Sequence, residues 1–184
     1  MNSDATAGTP LKPEARALRN PAAAAAEEPY GEVRAAVLNQ AGFDAAYGEI
    51  RSWPGYEPTP LLALPGLAAD LGLGALHYKD ERGRFGLRSF KALGGAYAVA
   101  NVLARTVEAA TGRSGVGSRD LLCGDYRDLI AGQTVTCATD GNHGRSVAWG
   151  AQLFGCRCVI YIHATVSDGR KQAIERFEIG RAHV

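Results

Sequence analysis

Val135-Thr136-Cys137-Ala138-Thr139-Asp140-Gly141-Asn142-His143-Gly144 is the stretch on which the reading of this chain turns. Val135 to Thr139, rich in β-branched and small apolar residues, reads as a buried strand. Asp140 to Gly144 then form a tight, glycine-bracketed loop. His143 to Phe154 carries a helical pattern with Gly155 as its stop. Cys156 to Ile162 reads as a second strand, and Ser167 as the cap of a helix from about Asp168 to Phe177. Strand, helix, strand, helix is the pattern of a parallel sheet with helices on its faces. In such sheets ligands bind at the carboxyl ends of the strands. There Asp140 can act as a general base, and the Asn142 amide can both donate and accept a hydrogen bond. His143 fits a proton shuttle, a helix start or a packed core residue. The same loop also fits a glycine-rich turn that binds nothing.

Upstream, Ser89-Phe90-Lys91-Ala92-Leu93-Gly94-Gly95-Ala96-Tyr97 opens another helix. Ser89 is a good N-cap, and Ala92, Ala96, Ala98 and Ala100 favour a helix to about Val107. Lys91 falls in its first turn, where the positive end of the helix dipole lowers an amine's pKa modestly. A nucleophilic lysine must be unprotonated part of the time, so this is a place for one. A solvated surface lysine has the same spacing. Gly94 and Gly95 are poor helix formers, and their expected value is to let another group approach the backbone closely.

Around these two stretches the chain divides by composition. Residues 1 to 28, rich in Ala and Pro, read as a mobile tail. Val33 to Ile50 has a helical pattern broken at Gly42. Trp53-Pro54-Gly55-Tyr56-Glu57-Pro58-Thr59-Pro60 is expected to be extended and fixed, because its prolines rule out a regular helix. Leu61 to Leu71 has helical apolar spacing with stops at Gly72 and Gly74. Ala75 to Lys79 alternates like a strand. Asp80 to Arg88 reads as a charged loop, Thr111 to Gly117 as a polar loop, and Leu121 to Ile130 as one short helix.

The 184 residues suit one ordinary domain or two small ones, and 46% hydrophobic residues suffice for a core. A net charge of +1 gives no basis for nucleic-acid or anionic-membrane binding. No apolar run approaches the ~20 residues of a membrane span. Met1 to Thr9 lacks the features of a secretory signal, so a cytoplasmic address is expected. Cys123, Cys137, Cys156 and Cys158 form no C-x-x-C pair and are expected to be free thiols rather than ligands; no metal site is expected. Cys156 and Cys158 are expected on opposite faces of their strand.

Tyr78-Lys79-Asp80-Glu81, Arg84-Phe85-Gly86-Leu87, Ser89 to Val99 and Thr139 to Trp149 together resemble the fold-type II pyridoxal-phosphate enzymes. Within them the chain is most similar to the diaminopropionate ammonia-lyases. Pro54 to Leu61 and Val159-Ile160-Tyr161-Ile162 fit the same pattern, so the resemblance covers roughly residues 50 to 177. It implies an α/β fold, tryptophan synthase β-like, with an incomplete open parallel sheet and flanking helices. Residues 29–91 would begin the large cofactor-binding domain, and 92–177 would belong to the small Rossmann-like domain. Lys91 would hold pyridoxal 5'-phosphate covalently, and Asn142 would hydrogen-bond its ring hydroxyl. The implied reaction eliminates ammonia from 2,3-diaminopropionate to give pyruvate and a second ammonia. Lys91 would be the base for the L-form and Asp140 for the D-form. The related serine and threonine dehydratases usually carry a small residue where Asp140 stands; a dehydratase-like activity and a non-catalytic α/β module are the alternatives. The expected partners are a small amino-acid substrate and, for the full-length protein, a second copy in a homodimer. Arg82 and Gly83 depart from the family pattern, which has a serine after Lys79-Asp80-Glu81.

The family's chains are much longer, and their phosphate-binding loop and ring-nitrogen partner lie beyond this segment. Glu178-Ile179-Gly180-Arg181-Ala182-His183-Val184 are what GAGATCGGAAGAGCACACGTC encodes, a string that looks like a sequencing adapter. These residues are therefore expected to be non-native, and the segment alone is expected to be unstable and inactive, with an open sheet edge.

Overall fold

The computed structural model describes residues 20, 21, 23, 28–139, 141–163, 167, 169, 172 and 176. The expected tail over 1–28, most of the helix expected after Ser167 and the segment 178–184 lie outside the described residues. Contacts divide the chain into Met1–Asn39 and Gln40–Val184. Among the described residues the first unit holds α1 (Glu32–Val37), which buries no residue. The Tyr30 hydroxyl donates to the Leu38 carbonyl at 2.8 Å.

In the second unit α2 runs over Gln40–Arg51. The break in the helical pattern falls at extended Leu38, not at Gly42, which lies inside α2. β1 (Leu61–Ala63) and β2 (His77–Lys79) form an antiparallel pair with Leu61 opposite Lys79. Between them α3 (Pro65–Asp70) starts with its proline at the first turn. Leu61 to Leu71 is thus strand then helix, rather than one helix. Proline disfavours the α conformation at the residue before it and is pre-set for a first helical position. Pro65 therefore puts the boundary at Leu64. The 80–88 loop contains a 3-10 turn over Glu81–Gly86, kinked at Arg84 and Phe85.

Two long helices carry the core. α4 covers Lys91–Thr111 and ends at Gly112 in the left-handed conformation. Its buried residues, Ala92, Gly95, Ala96, Val99, Ala100, Leu103 and Val107, form one helical stripe. α5 (Ser118–Leu122) and α6 (Arg127–Ala131) replace the single helix expected there. Gly124 separates them with a φ of 96°, which a continuing right-handed helix cannot contain.

β3 (Thr134–Ala138), α7 (Asn142–Phe154) and β4 (Arg157–Tyr161) form the βαβ unit. The two strands are parallel, with Thr134 opposite Arg157 and Ala138 opposite Tyr161. β3 is less buried than its composition suggests: Val135 and Cys137 are half-buried, and Thr134, Thr136 and Ala138 are exposed. Cys156, Cys158 and Ile160 are all buried. Residues two apart in a strand share a face, so both thiols point into the core and not to opposite sides. None of the four cysteines forms a disulfide. No described helix is long and apolar enough to cross a membrane.

Candidate functional site

Lys91 is the first residue of α4. Phe90 before it already has helical backbone angles, so Ser89 does its capping from one position further out. Its hydroxyl accepts the Lys91 N–H at 3.2 Å, and its carbonyl accepts the Ala92 N–H at 3.2 Å. The lysine side chain is exposed. Its Nζ lies 4.8 Å from the Phe90 ring centroid and makes no hydrogen bond or ion pair among the described residues.

The backbone leading to Lys91 is bent through unusual conformations. Phe85 and Arg88 have φ of 47° and 57°, with Gly86 at 71° between them. For a side-chain-bearing residue this region costs about 1–2 kcal/mol. Several contacts hold the bend in place. Phe85 stacks on Trp149 of α7, ring centroids 4.6 Å apart, and Leu87 is buried. Trp53 packs edge-on against Trp149 and donates its indole N–H to the Ser118 hydroxyl at 2.8 Å.

An ionic cluster fastens the preceding turn to the proline-rich stretch. Arg84, 7% exposed, donates to Glu81 at 2.9 and 3.1 Å, to the Glu57 carbonyl at 3.0 Å and to the Thr59 hydroxyl at 2.9 Å. The Thr59 hydroxyl in turn donates to Glu81, and the Lys79 ammonium donates to the Thr59 carbonyl. The Arg84 guanidinium holds the Glu81 carboxyl below the usual range and is itself raised by Glu81. Residues 57–59 are held by these bonds, but the stretch expected to be extended from Trp53 begins with a turn: the Tyr56 N–H donates to the Trp53 carbonyl at 3.1 Å and Gly55 has a φ of 76°. Beside them Arg82 fills the place where the family pattern has serine. Asp80 accepts its N–H at 3.1 Å and its guanidinium at 2.6 Å. Those bonds lower the Asp80 pKa.

Asn142 opens α7 directly after Gly141. It is exposed, and its Oδ1 accepts from Arg145 at 3.4 Å. His143 beside it is also exposed, which makes it a helix-start residue rather than a core one. Asp140 lies outside the described residues.

The close approach expected at Gly94 and Gly95 is made at Gly95 and not at Gly94; what the sequence reading missed is its partner, Ser146 of α7. A Cβ on Gly95 would stand 2.4 Å from the Ser146 hydroxyl, and one on Gly150 would stand 2.8 Å from Ala96 Cα. The contacts advance along both helices in the same sense, from Gly95 with Ser146 to Val99 with Gly150. α4 and α7 therefore run the same way and begin at the same end, one with Lys91 and the other with Asn142. Ser146 and Gly150 are four apart and share a helix face; that spacing of small residues was the available signal.

These residues suit a pyridoxal-phosphate group. An exposed primary amine can bond a carbonyl carbon, and an exposed amide matches a phenolic oxygen. The backbone at Gly94 and Gly141 has nothing within 4 Å where a side chain would project.

The chain belongs to the family described as pyridoxal-phosphate dependent enzyme, which matches residues 52–180, and its fold is the fold-type II α/β architecture. Among its relatives, the diaminopropionate ammonia-lyase of Salmonella typhimurium is 42% identical over 109 residues, 59% of this chain and 26% of the relative. The apo crystal structure of Escherichia coli diaminopropionate ammonia lyase matches with a TM-score of 0.64 at 38% identity, covering 75% of this chain and 36% of that one. The complex of that enzyme with D-serine matches with a TM-score of 0.62 at 37% identity, covering 75% and 34%. The chain thus spans from 26% to 36% of the length of these relatives.

Proposed function

We propose that the full-length protein is a diaminopropionate ammonia-lyase that acts on both enantiomers of 2,3-diaminopropionate and releases pyruvate and ammonia. The observation that carries this reading is the α4–α7 pair, which starts its two helices, at Lys91 and Asn142, from one end. The likeness to ammonia-lyases at 42% identity supports the substrate class.

Lys91 is the residue that anchors the cofactor through its amine. Once displaced by the substrate's amino group, that amine is free to take the α-proton of the L-form. Asn142 orients the ring by hydrogen-bonding its hydroxyl. Asp140 takes the α-proton of the D-form from the opposite face. A relative solved with D-serine supports a site that admits a D-amino acid. When bound, pyridoxal phosphate supplies an electron sink for the charge left by the departing α-proton.

The test uses the full-length protein with both enantiomers. Lys91→Ala should abolish covalent retention of the cofactor after borohydride reduction, read by peptide mass. Asp140→Asn should slow D-isomer turnover about 10²-fold or more while changing L-isomer turnover only a few-fold. Equal losses on the two isomers would remove the role given to Asp140. Retention of the cofactor on another lysine would remove the role given to Lys91.

A further inference from the structure

We infer that Ser146 is a positioning residue: its buried hydroxyl, set between the Ala92 carbonyl and the Ala96 N–H, fixes the first turn of α4 and with it the placement of the Lys91 amine against Asn142. The inference rests on the reading of Lys91 as the cofactor's anchor.

The Ser146 side chain is fully buried. Its Oγ accepts the Ala96 N–H at 3.1 Å and donates to the Ala92 carbonyl at 3.1 Å. Those two backbone groups are an i, i+4 pair, the partners that bond each other in an uninterrupted helix. A hydroxyl from a neighbouring helix therefore bonds both members of that pair, giving each a buried partner on α7. Gly95 is what admits it, since a Cβ there would overlap the Ser146 Oγ.

The location gives the contact its consequence. Ala92 follows Lys91 directly and is buried, and its carbonyl lies in the second peptide unit after the lysine Cα. Ser146 lies four residues after Asn142, one turn along the same face of α7. The bond from Ser146 to Ala92 is therefore a short route between the backbone that carries the amine and the backbone that carries the amide. Phe85 on Trp149 clamps the approach to Lys91 from the same helix, but through rings that slide more easily than a pair of hydrogen bonds. A reacting amine misplaced by about 1 Å can lose up to about 10²-fold in rate, so a hydroxyl that sets the first turn of its helix governs chemistry it never touches.

The test compares Ser146→Ala and Ser146→Cys with the unaltered full-length protein loaded with pyridoxal phosphate. Ser146→Ala removes both bonds. It should slow borohydride trapping of the cofactor on Lys91 about tenfold, displace the pH midpoint of the cofactor's visible absorbance, and lower kcat about tenfold with KM within about threefold. Amide exchange at Ala96 should rise. Ser146→Cys keeps the volume and a weak donor, and should move each readout the same way by less. It also serves if the alanine variant does not fold. Trapping rate and absorbance midpoint unchanged in both variants, even with a lowered Tm, would reduce Ser146 to a packing residue and overturn the inference. If the unaltered protein does not trap cofactor at Lys91, the reading of Lys91 fails instead.

Discussion

The α4–α7 interface and the β1–β2 hairpin come out as opposites. In the interface, Gly95, Ala96, Val99, Val147, Ala148, Gly150 and Ala151 bring two helices into backbone contact with nothing exposed. In the hairpin every strand residue is exposed, with Leu61 at 63% and Tyr78 at 50%, and the adjoining α3 buries only Ala68. Small residues let elements close on each other, whereas large ones wait for a surface to cover them. Placement of Lys91 and Asn142 therefore depends on the interface, and substitutions should be felt there first. The largest effect is expected from Gly95→Ala, which drives a methyl into the Ser146 hydroxyl and its two hydrogen bonds. Overpacking and lost bonds together should cost about 2–4 kcal/mol in denaturant unfolding. Gly94→Ala, one residue earlier and facing open space, should instead stabilise by about 1 kcal/mol through helix propensity. Equal signs for the two variants would break the contrast.

The Arg84 cluster lies between these extremes, in the segment that connects hairpin to interface. Arg84→Ala leaves Glu81 facing Thr59 without its cation and should cost about 2 kcal/mol. The cost should depend on pH in a set direction. Folding lowers the Glu81 pKa, chiefly through the hydrogen bond from Arg84. That stabilisation is fully present above the ordinary glutamate value of about 4.3 and is lost as pH falls through the folded value. The gap between the unaltered protein and Arg84→Ala should then be constant near neutrality and narrow in acid. A gap that stayed constant on acidification would show that Arg84 acts by packing alone. Arg84→Lys should recover only part of the loss, because a point charge cannot reach Glu81, Glu57 and Thr59 together.

Much of this was legible in the sequence. The βαβ unit follows from a strand pattern, a glycine-bracketed helix and a second strand, and Gly155 stops its helix as expected, whereas α4 runs past the expected Val107 to Thr111, where Gly112 ends it. Ser89 was readable as a cap, although Phe90 takes the cap position. The helix pair was not legible. Composition shows that Gly95, Ser146 and Gly150 are small but not that they meet, because the meeting depends on the relative rotation of two helices distant in sequence. The Leu61–Ala63 strand was missed for a similar reason: its apolar spacing also suits a helix, and only pairing with β2 decides. Gly124 carried a local signal, and a glycine inside Leu121 to Ile130 could have split that helix. The two core thiols needed only the strand's period of two to be placed on one face.

Core and surface thiols offer a smaller, kinetic form of the same comparison. Cys156 is buried, and burial pushes its thiol up to about 11, whereas Cys123 is exposed. Only the thiolate is a nucleophile, so at neutral pH iodoacetamide should label Cys123 and leave Cys156 to react only through unfolding. Labelling of Cys156 at the Cys123 rate would mean that the β4–α7 layer opens readily.

The smallest effect is expected at Leu61. Its side chain stands at the surface of a short antiparallel pair, and Thr suits a strand as well as Leu does. Leu61→Thr should change stability by no more than about 0.5 kcal/mol. That near-silence is informative because the same residue would be costly in a core, where replacing a buried leucine by a smaller residue loses about 2–5 kcal/mol. The substitution therefore measures how covered the hairpin is. If Leu61→Thr instead costs more than about 2 kcal/mol, the hairpin's apolar face is packed in the folded protein. The contrast with the α4–α7 pair would then be one of partner, with one face closed by a neighbouring helix and the other by a surface outside the described residues.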